Sequence, residues 1–136
     1  MTNVFEDVKL FMETGGQLTE GAEKVIPHWP SMEIIRLRKD LINEEFGEIL
    51  SAINIKDLVG VADGLIDLLY VTVGALISFG FPGEELFAEV QRSNMSKFIG
   101  GVIKNEKGKV MKGPNYSPPD LKSIIEKQSK KQERQK

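Results

Sequence analysis

Five acidic residues at helical spacing are the feature of this chain best suited to chemistry. Glu44, Glu45 and Glu48 fall within an arc of roughly 100° on a helix that advances about 100° per residue. Asp63 and Asp67 are four residues apart, so they too share one face of a helix. Because unpaired carboxylates are costly to bury, five acids directed at one place indicate a site for divalent cations.

The residue types narrow the choice of metal. The chain has no Cys and a single His, so its candidate ligands are hard oxygen donors, which favour Mg²⁺ or Mn²⁺ over zinc or copper. Asp67 lies in a segment that is apolar nearly all round, so we expect it to be the deepest of the acids. No basic residue lies between Lys56 and Arg92 to pair with it.

A simpler interpretation of the same residues stays open. Glutamates on an amphipathic helix are often only its solvated face, and this applies to Glu44, Glu45 and Glu48. Asp63 could begin a helix, and Asp67 could pair with a buried basic residue from elsewhere in the chain.

Two long helices must position these acids. Ser31 is a candidate N-cap for a first helix that runs toward about Ile53. A second helix is predicted roughly over residues 57–79. Since only a few residues join them, the two helices must pack antiparallel, with their acids facing each other near the middle.

Shorter helices are predicted over about residues 4–12, 84–97 and 121–128. Residues 105–108 read as the tip of a possible small β-hairpin. The sequence therefore predicts an all-α antiparallel bundle with a single domain over residues 1–127. The polar residues 128–136 lack a hydrophobic face, so we expect a disordered tail.

Length and composition exclude several classes of protein. A chain of 136 residues is long enough for one core, and its net charge of −2 argues against a general nucleic-acid binder. The absence of Cys is compatible with a reducing compartment. The N-terminus lacks a signal-peptide core, and the longest apolar stretch, residues 68–81, is too short to span a bilayer. We therefore expect a cytoplasmic protein with neither nucleic acid nor membrane as partner.

The acids belong to a longer series of motifs. These are R-x-R-x-x-L-I at 36–42, E-E-x-x-E at 44–48, R-S-N-M-S-K at 92–97, G-K-V-x-K-G-P-N-Y at 108–116 and P-P-D at 118–120. Together with Asp63 and Asp67, they resemble the all-α nucleoside triphosphate pyrophosphohydrolase superfamily, in its MazG-like, phosphoribosyl-ATP pyrophosphohydrolase-like branch. The resemblance covers roughly residues 30–121. One position departs from the superfamily pattern, since Gly64 stands where a glutamate precedes the second-helix aspartate by three residues.

The resemblance implies an enzyme that hydrolyses a (deoxy)nucleoside triphosphate between its α and β phosphates, with Mg²⁺ or Mn²⁺ as cofactor. The metal ligands would be Glu45, Glu48, Asp63 and Asp67, with Glu44 or Glu45 accepting a proton from water. The implied substrate-binding residues are Arg36, Asn94, Lys97, Lys109, Lys112 and Tyr116. The lysines could instead belong to a solvated loop, and Asn94 could be a residue of a helix C-terminal turn.

The sequence also predicts the oligomeric state of the chain and leaves two alternative functions open. A helix that is apolar all round needs a second copy to enclose it, and the resemblance likewise implies a dimer or a dimer of dimers. Hydrolysis of phosphoribosyl-ATP in histidine synthesis is the alternative enzyme activity, and a non-catalytic nucleotide-binding helical module is the alternative from another class. A ferritin-like di-iron oxidase is excluded because the chain lacks Glu-x-x-His.

Overall fold

The computed structural model describes residues 3–18 and 25–134, and within these ranges it contains five α-helices and no β-strand. The helices are α1 (Val4–Thr14), α2 (Met32–Asn54), α3 (Leu58–Ser78), α4 (Gly83–Ser96) and α5 (Leu121–Arg134). The all-α fold class is confirmed, as are the two long helices that carry the acids. The chain divides into two compact units, residues 1–81 and 82–136, and the single domain over residues 1–127 stays a prediction.

Side-chain caps fix where the two long helices begin. Ser31 Oγ accepts a hydrogen bond from the Ile34 N–H at 3.3 Å, which confirms Ser31 as the N-cap of α2. Asp57 Oδ1 accepts one from the Gly60 N–H at 3.0 Å at the start of α3. Each cap satisfies one of the backbone donors that the first turn of a helix leaves free.

The core of the first unit forms where α1 packs on α3. Val8 and Met12 of α1 and Val73 of α3 are buried together, and Tyr70 packs against them. The ring of Phe11 meets the edge of the Tyr70 ring at a centroid distance of 5.4 Å. Tyr70 is thus part of the core, where aromatic pairs of this geometry are stabilising.

Helix α3 is far less covered within the chain than its composition predicts. Leu65, Ile66 and Leu69 are exposed, with Ile66 at 62%. Among the described residues α3 is also the one helix long and apolar enough to cross a membrane, judged by length and composition alone. The core helix of a soluble protein meets the same two criteria, so they do not assign α3 to a membrane.

The second unit contains α4, α5 and the segment between them. The expected hairpin is reduced to one antiparallel bridge, Lys104 with Val110, around the turn at residues 105–108. Helix α5 continues to Arg134, within the polar segment expected as a tail; residues 135–136 lie outside the described ranges, and the domain bounds stay a prediction. Within this helix, Gln128 Nε2 donates a hydrogen bond to Glu85 Oε1 of α4 at 3.2 Å.

Candidate active site

Close packing of α2 on α3 sets the register of the candidate site. A Cβ built on Gly64 would lie 2.7 Å from Ile49 Cγ1, and one on Gly60 would lie 3.2 Å from Ala52 Cβ. The two helices therefore run antiparallel, with position 64 against position 49. Extending this register by one turn along each helix brings Glu45 to the level of Asp67.

The same contact explains the departure at position 64. A glutamate there would have its Cβ in the space of Ile49, including 3.6 Å from the Ile49 Cα. In this chain the close packing of α2 on α3 therefore leaves no room for a carboxylate side chain at position 64. Asp63, one residue earlier, is exposed and so is free of this restriction.

Glu45 is the carboxylate that the fold leaves without a partner. Its Oε2 is fully buried and accepts no hydrogen bond from any described residue. Asp67 is half-buried, whereas Glu44, Glu48 and Asp63 are exposed. Within the single chain the unsatisfied buried oxygen therefore belongs to Glu45, and not to Asp67, which the sequence had led us to expect as the deepest acid.

Burial and neighbouring charge raise the pKa of Glu45 above its usual value. Burial is the largest cause, followed by the negative charges of Glu48, Asp67, Glu44 and Asp63 in that order. The four other acids predicted from the sequence are thus near enough to raise the pKa of the Glu45 carboxyl. The structure brings together in one place what the sequence predicted as one constellation.

The constellation is not a preformed metal cage. Across residues 3–18 and 25–134, no three Asp, Glu or His side chains are assembled in a way that could hold a metal ion. The donor set nevertheless fits a hard divalent cation, because the orphaned carboxylate oxygen of Glu45 lies within range of the charges of four further carboxylates. Rotation of the exposed Glu48 and Asp63 side chains would be needed to complete a shell. The ligand set of Glu45, Glu48, Asp63 and Asp67 stays a prediction.

The two arginines in the motif at residues 36–42 differ in burial, and the substrate-binding role of Arg36 stays a prediction. Arg36 is exposed, whereas Arg38 is 5% exposed and lies against α3. A Cβ on Gly74 would be 2.7 Å from Arg38 Nη1. A signal was present in the sequence, since Arg38 precedes Glu45 by seven residues and hence shares its face of α2.

The other predicted substrate-binding residues all lie in the second unit. Asn94, Lys109 and Lys112 are exposed, and Lys97 and Tyr116 are half-buried. The Lys112 Nζ lies over the Tyr116 ring at 4.8 Å from its centroid, a cation–π geometry. The substrate-binding role of these five residues stays a prediction.

Two buried serines fasten the segment around Tyr116 to α4. The Ser117 N–H donates to Ser96 Oγ at 2.8 Å, and the Ser96 hydroxyl in turn donates to the Ser93 carbonyl at 2.6 Å. Ser93 and Ser96 are 2% and 4% exposed. Buried hydroxyls need such partners, so these bonds hold the segment in place.

Arg92 makes a second set of bonds to the same segment. Its Nη2 and Nε pair with the two carboxylate oxygens of Glu89 at 2.8 and 2.9 Å, and its Nη1 donates to Ser117 Oγ at 3.1 Å. The Asp120 N–H also donates to Glu89, at 3.0 Å. The bonds from Arg92 and then from the Asp120 N–H lower the pKa of Glu89 to about 2. Glu89 thus joins Arg92 of α4 to the turn that begins α5 through hydrogen bonds to both.

The part of the chain that contains the acids matches the model of a known protein family. Residues 11–94 match the model of a protein family described as phosphoribosyl-ATP pyrophosphohydrolase. The matched range contains all five acids and Arg38, and it is more than half of the chain. No curated protein shows significant similarity to the chain.

Proposed function

Because the chain belongs to the phosphoribosyl-ATP pyrophosphohydrolase family, within the all-α nucleoside triphosphate pyrophosphohydrolase superfamily, we propose that it cleaves the α–β phosphoanhydride of phosphoribosyl-ATP. The products would be the monophosphate form of this substrate, phosphoribosyl-AMP, and pyrophosphate. The family match favours this substrate over the simple (deoxy)nucleoside triphosphates that the sequence motifs put first. Simple triphosphates remain the second candidate, since the acids would act on the triphosphate, which both substrates share.

The observation that carries this proposal is the orphaned oxygen of Glu45 among four other acids. Glu45, Glu48, Asp63 and Asp67 would hold Mg²⁺, on which enzymes of this family typically depend, or Mn²⁺. When bound, the cation neutralises phosphate charge and lowers the pKa of a coordinated water. Glu44 or Glu45 would accept the proton of the attacking water, and the raised pKa of Glu45 suits a general base.

The basic residues of the second unit would bind the departing pyrophosphate. Lys97, Lys109 and Lys112 supply ammonium groups, which bind phosphate as point charges. The position of Lys112 over Tyr116 supports this role by limiting where its ammonium can lie. Asn94 is proposed to contact the base or sugar, and Arg36 the phosphates.

We further propose that two copies of the chain pair through α2 and α3. The exposed apolar side chains on these helices include Phe46, Leu50, Ile53, Leu65, Ile66 and Leu69. A surface of this kind on a soluble protein marks an interface. A second copy would complete a four-helix bundle, and two such dimers could associate into a tetramer. We also propose a cytoplasmic location, with which the metabolic class of the family is consistent.

A substrate panel tests the proposed activity. Phosphoribosyl-ATP, ATP and each canonical deoxynucleoside triphosphate are incubated with the protein and either Mg²⁺ or Mn²⁺, and the products are separated by chromatography. We expect pyrophosphate with phosphoribosyl-ATP as the preferred substrate. Release of inorganic phosphate and a diphosphate would contradict the proposed bond cleavage. Binding without any product would favour the non-catalytic module.

A further inference from the structure

Arg38 is a buried cation without a buried anion beside it. Its Nε donates to Ser78 Oγ at 2.9 Å and its Nη2 donates to Gln17 Oε1 at 3.1 Å. Both acceptors are neutral, and no carboxylate of residues 3–18 and 25–134 forms an ion pair with it. Burial alone lowers the pKa of the guanidinium. A charge taken out of water normally requires an opposite charge, which these contacts do not supply.

Arg38 is one of the residues that line a cavity of about 600 Å³ at the beginning of α2. Gln17, Ser31, Ile34 and Arg36 are among its other lining residues. The cavity lies at the first turn of α2, where the positive end of the helix dipole favours an anion. Two carboxylates, Glu33 and Asp40, also line the cavity.

The two carboxylates do not neutralise the positive charge of Arg38. Glu33 and Asp40 are exposed, so water screens their charges, whereas Arg38 is 95% removed from solvent. In the less polar surroundings of the buried group, its attraction for an anion is stronger than their repulsion. Arg38 Nη1 lies against Gly74 of α3, whereas Nη2 is bonded to Gln17, which lines the cavity, so Nη2 is the donor nearest to a ligand there.

Helix geometry relates this cavity to the acids. Arg38 lies seven residues before Glu45 on α2, which places both on one face about 10 Å apart along the axis. On α3, Gly74 approaches Arg38 and lies seven residues after Asp67. The cation and the acid constellation therefore lie along the same α2–α3 seam, at a separation that one extended nucleotide can bridge.

We propose that the cavity at the beginning of α2, with Arg38 as its charged residue, binds a phosphate monoester of the substrate remote from the bond that is cleaved. This inference rests on the proposed function. Phosphoribosyl-ATP carries such a phosphate on its additional ribose, while ATP and the deoxynucleoside triphosphates carry none. Arg38 then determines substrate specificity, because its planar fork of donors matches phosphate oxygens.

Ribose 5-phosphate is a probe for this site that does not depend on turnover. Its binding to the full chain is measured by calorimetry with EDTA present, beside ribose as the uncharged control. The wild type should bind ribose 5-phosphate and not ribose. Arg38→Gln should weaken binding about tenfold or more, as expected for loss of charge-assisted hydrogen bonds. Asp67→Asn should leave binding unchanged, since the acids belong to the other end of the seam.

Two further variants keep the test informative if the Arg38→Gln protein does not fold. Circular dichroism checks the fold of Arg38→Gln, and if it fails to fold, Arg38→Lys is used, which keeps the charge and loses the planar fork. Arg38→Lys should still weaken binding severalfold. Ser78→Ala removes a neutral support of Arg38 and keeps its charge, so it should weaken binding less than either. Unchanged affinity in a folded Arg38 variant, or no binding by the wild type at millimolar concentration, would overturn the proposal.

Kinetics separate this inference from the proposed function. In Arg38→Gln the kcat/KM for phosphoribosyl-ATP should fall mainly through KM, and that for ATP should change little. Equal losses for both substrates would overturn the assignment of Arg38 to the remote phosphate. Failure of the wild type to hydrolyse any triphosphate would refute the proposed function, while the ribose 5-phosphate measurement would still report on the cavity.

Discussion

Gly64 of α3 lies so close to Ile49 of α2 that a Cβ at position 64 would be 2.7 Å from Ile49 Cγ1. Gly64→Ala should therefore lower the free energy of unfolding by about 1–3 kcal/mol, because the added methyl must displace a packed side chain. Gly64→Glu, which introduces the glutamate of the superfamily pattern, should be worse for both stability and turnover. Urea unfolding of the three proteins measures the effect.

Gly47 provides the matched control on the neighbouring helix. A Cβ at position 47 would meet nothing within 4 Å. Gly47→Ala should raise the free energy of unfolding by about 0.5–1 kcal/mol, since alanine restricts the unfolded chain and favours helix. If Gly64→Ala were stabilised to the same extent, the close approach of α2 and α3 would be disproved.

Asp67→Asn should abolish metal-dependent turnover without unfolding the protein. The amide keeps the shape of the side chain but removes a negative charge beside Glu45, so cation affinity and kcat/KM should each fall by about a hundredfold or more. Mn²⁺ titration followed by electron paramagnetic resonance measures the affinity. Glu13→Gln, an exposed carboxylate on α1, serves as the control and should behave as the wild type. Near-normal turnover of Asp67→Asn would refute the metal site.

Glu45 should make the metal-free protein less stable as the pH rises. Its folded-state pKa is raised, chiefly by burial and then by Glu48, so the folded state binds the proton more tightly than the unfolded state. The destabilisation is absent below the ordinary pKa of glutamate and complete above the raised pKa. Glu45→Gln should accordingly be more stable than wild type at neutral pH, with the difference vanishing as the pH falls through that window. Urea unfolding in EDTA over a pH series measures it, and a constant difference would contradict the assignment.

Glu89 should show the opposite pH dependence. Its pKa is lowered to about 2, first by the hydrogen bond from Arg92 and then by that from the Asp120 N–H. Its stabilisation is present above the ordinary glutamate pKa and is lost as the pH falls toward about 2. Glu89→Gln should remove that stabilisation at neutral pH and speed hydrogen exchange at the Ser117 and Asp120 amides.

A surface ion pair offers the comparison for Glu89. Lys122 and Glu126 pair at 3.8 Å, and their side chains are 85% and 53% exposed. Because such exposed pairs contribute little, Glu126→Gln should leave amide exchange around Ser117 unchanged. Equal effects of the two variants would show that the Arg92 network does not hold this segment.

Pairing of two copies is testable by light scattering. We expect at least a dimer at micromolar concentration, because Ile66 is 62% exposed in the single chain and has exposed apolar neighbours on α3. Ile66→Glu should shift the protein toward monomer, since a carboxylate in an apolar interface is costly to desolvate. A monomeric wild type would refute the proposed four-helix bundle.

The sequence by itself determined the features that depend on local spacing. Helical periodicity and the Ser31 cap predicted the long helices, because a side chain can satisfy a backbone donor only a few residues away. The short connection between the helices required antiparallel packing. From these two facts the grouping of Glu45 with Asp67 followed, and the pKa of Glu45 reflects it.

Only the tertiary structure decided what depends on distance across the fold. Which acid has an orphaned oxygen, which arginine is buried and why position 64 is glycine all depend on how closely α2 and α3 approach. The hydrogen bond between Gln128 of α5 and Glu85 of α4 likewise joins residues that are 43 positions apart in the sequence. Periodicity assigns a residue to a face of a helix, but burial and charge are properties of what the other elements place against that face.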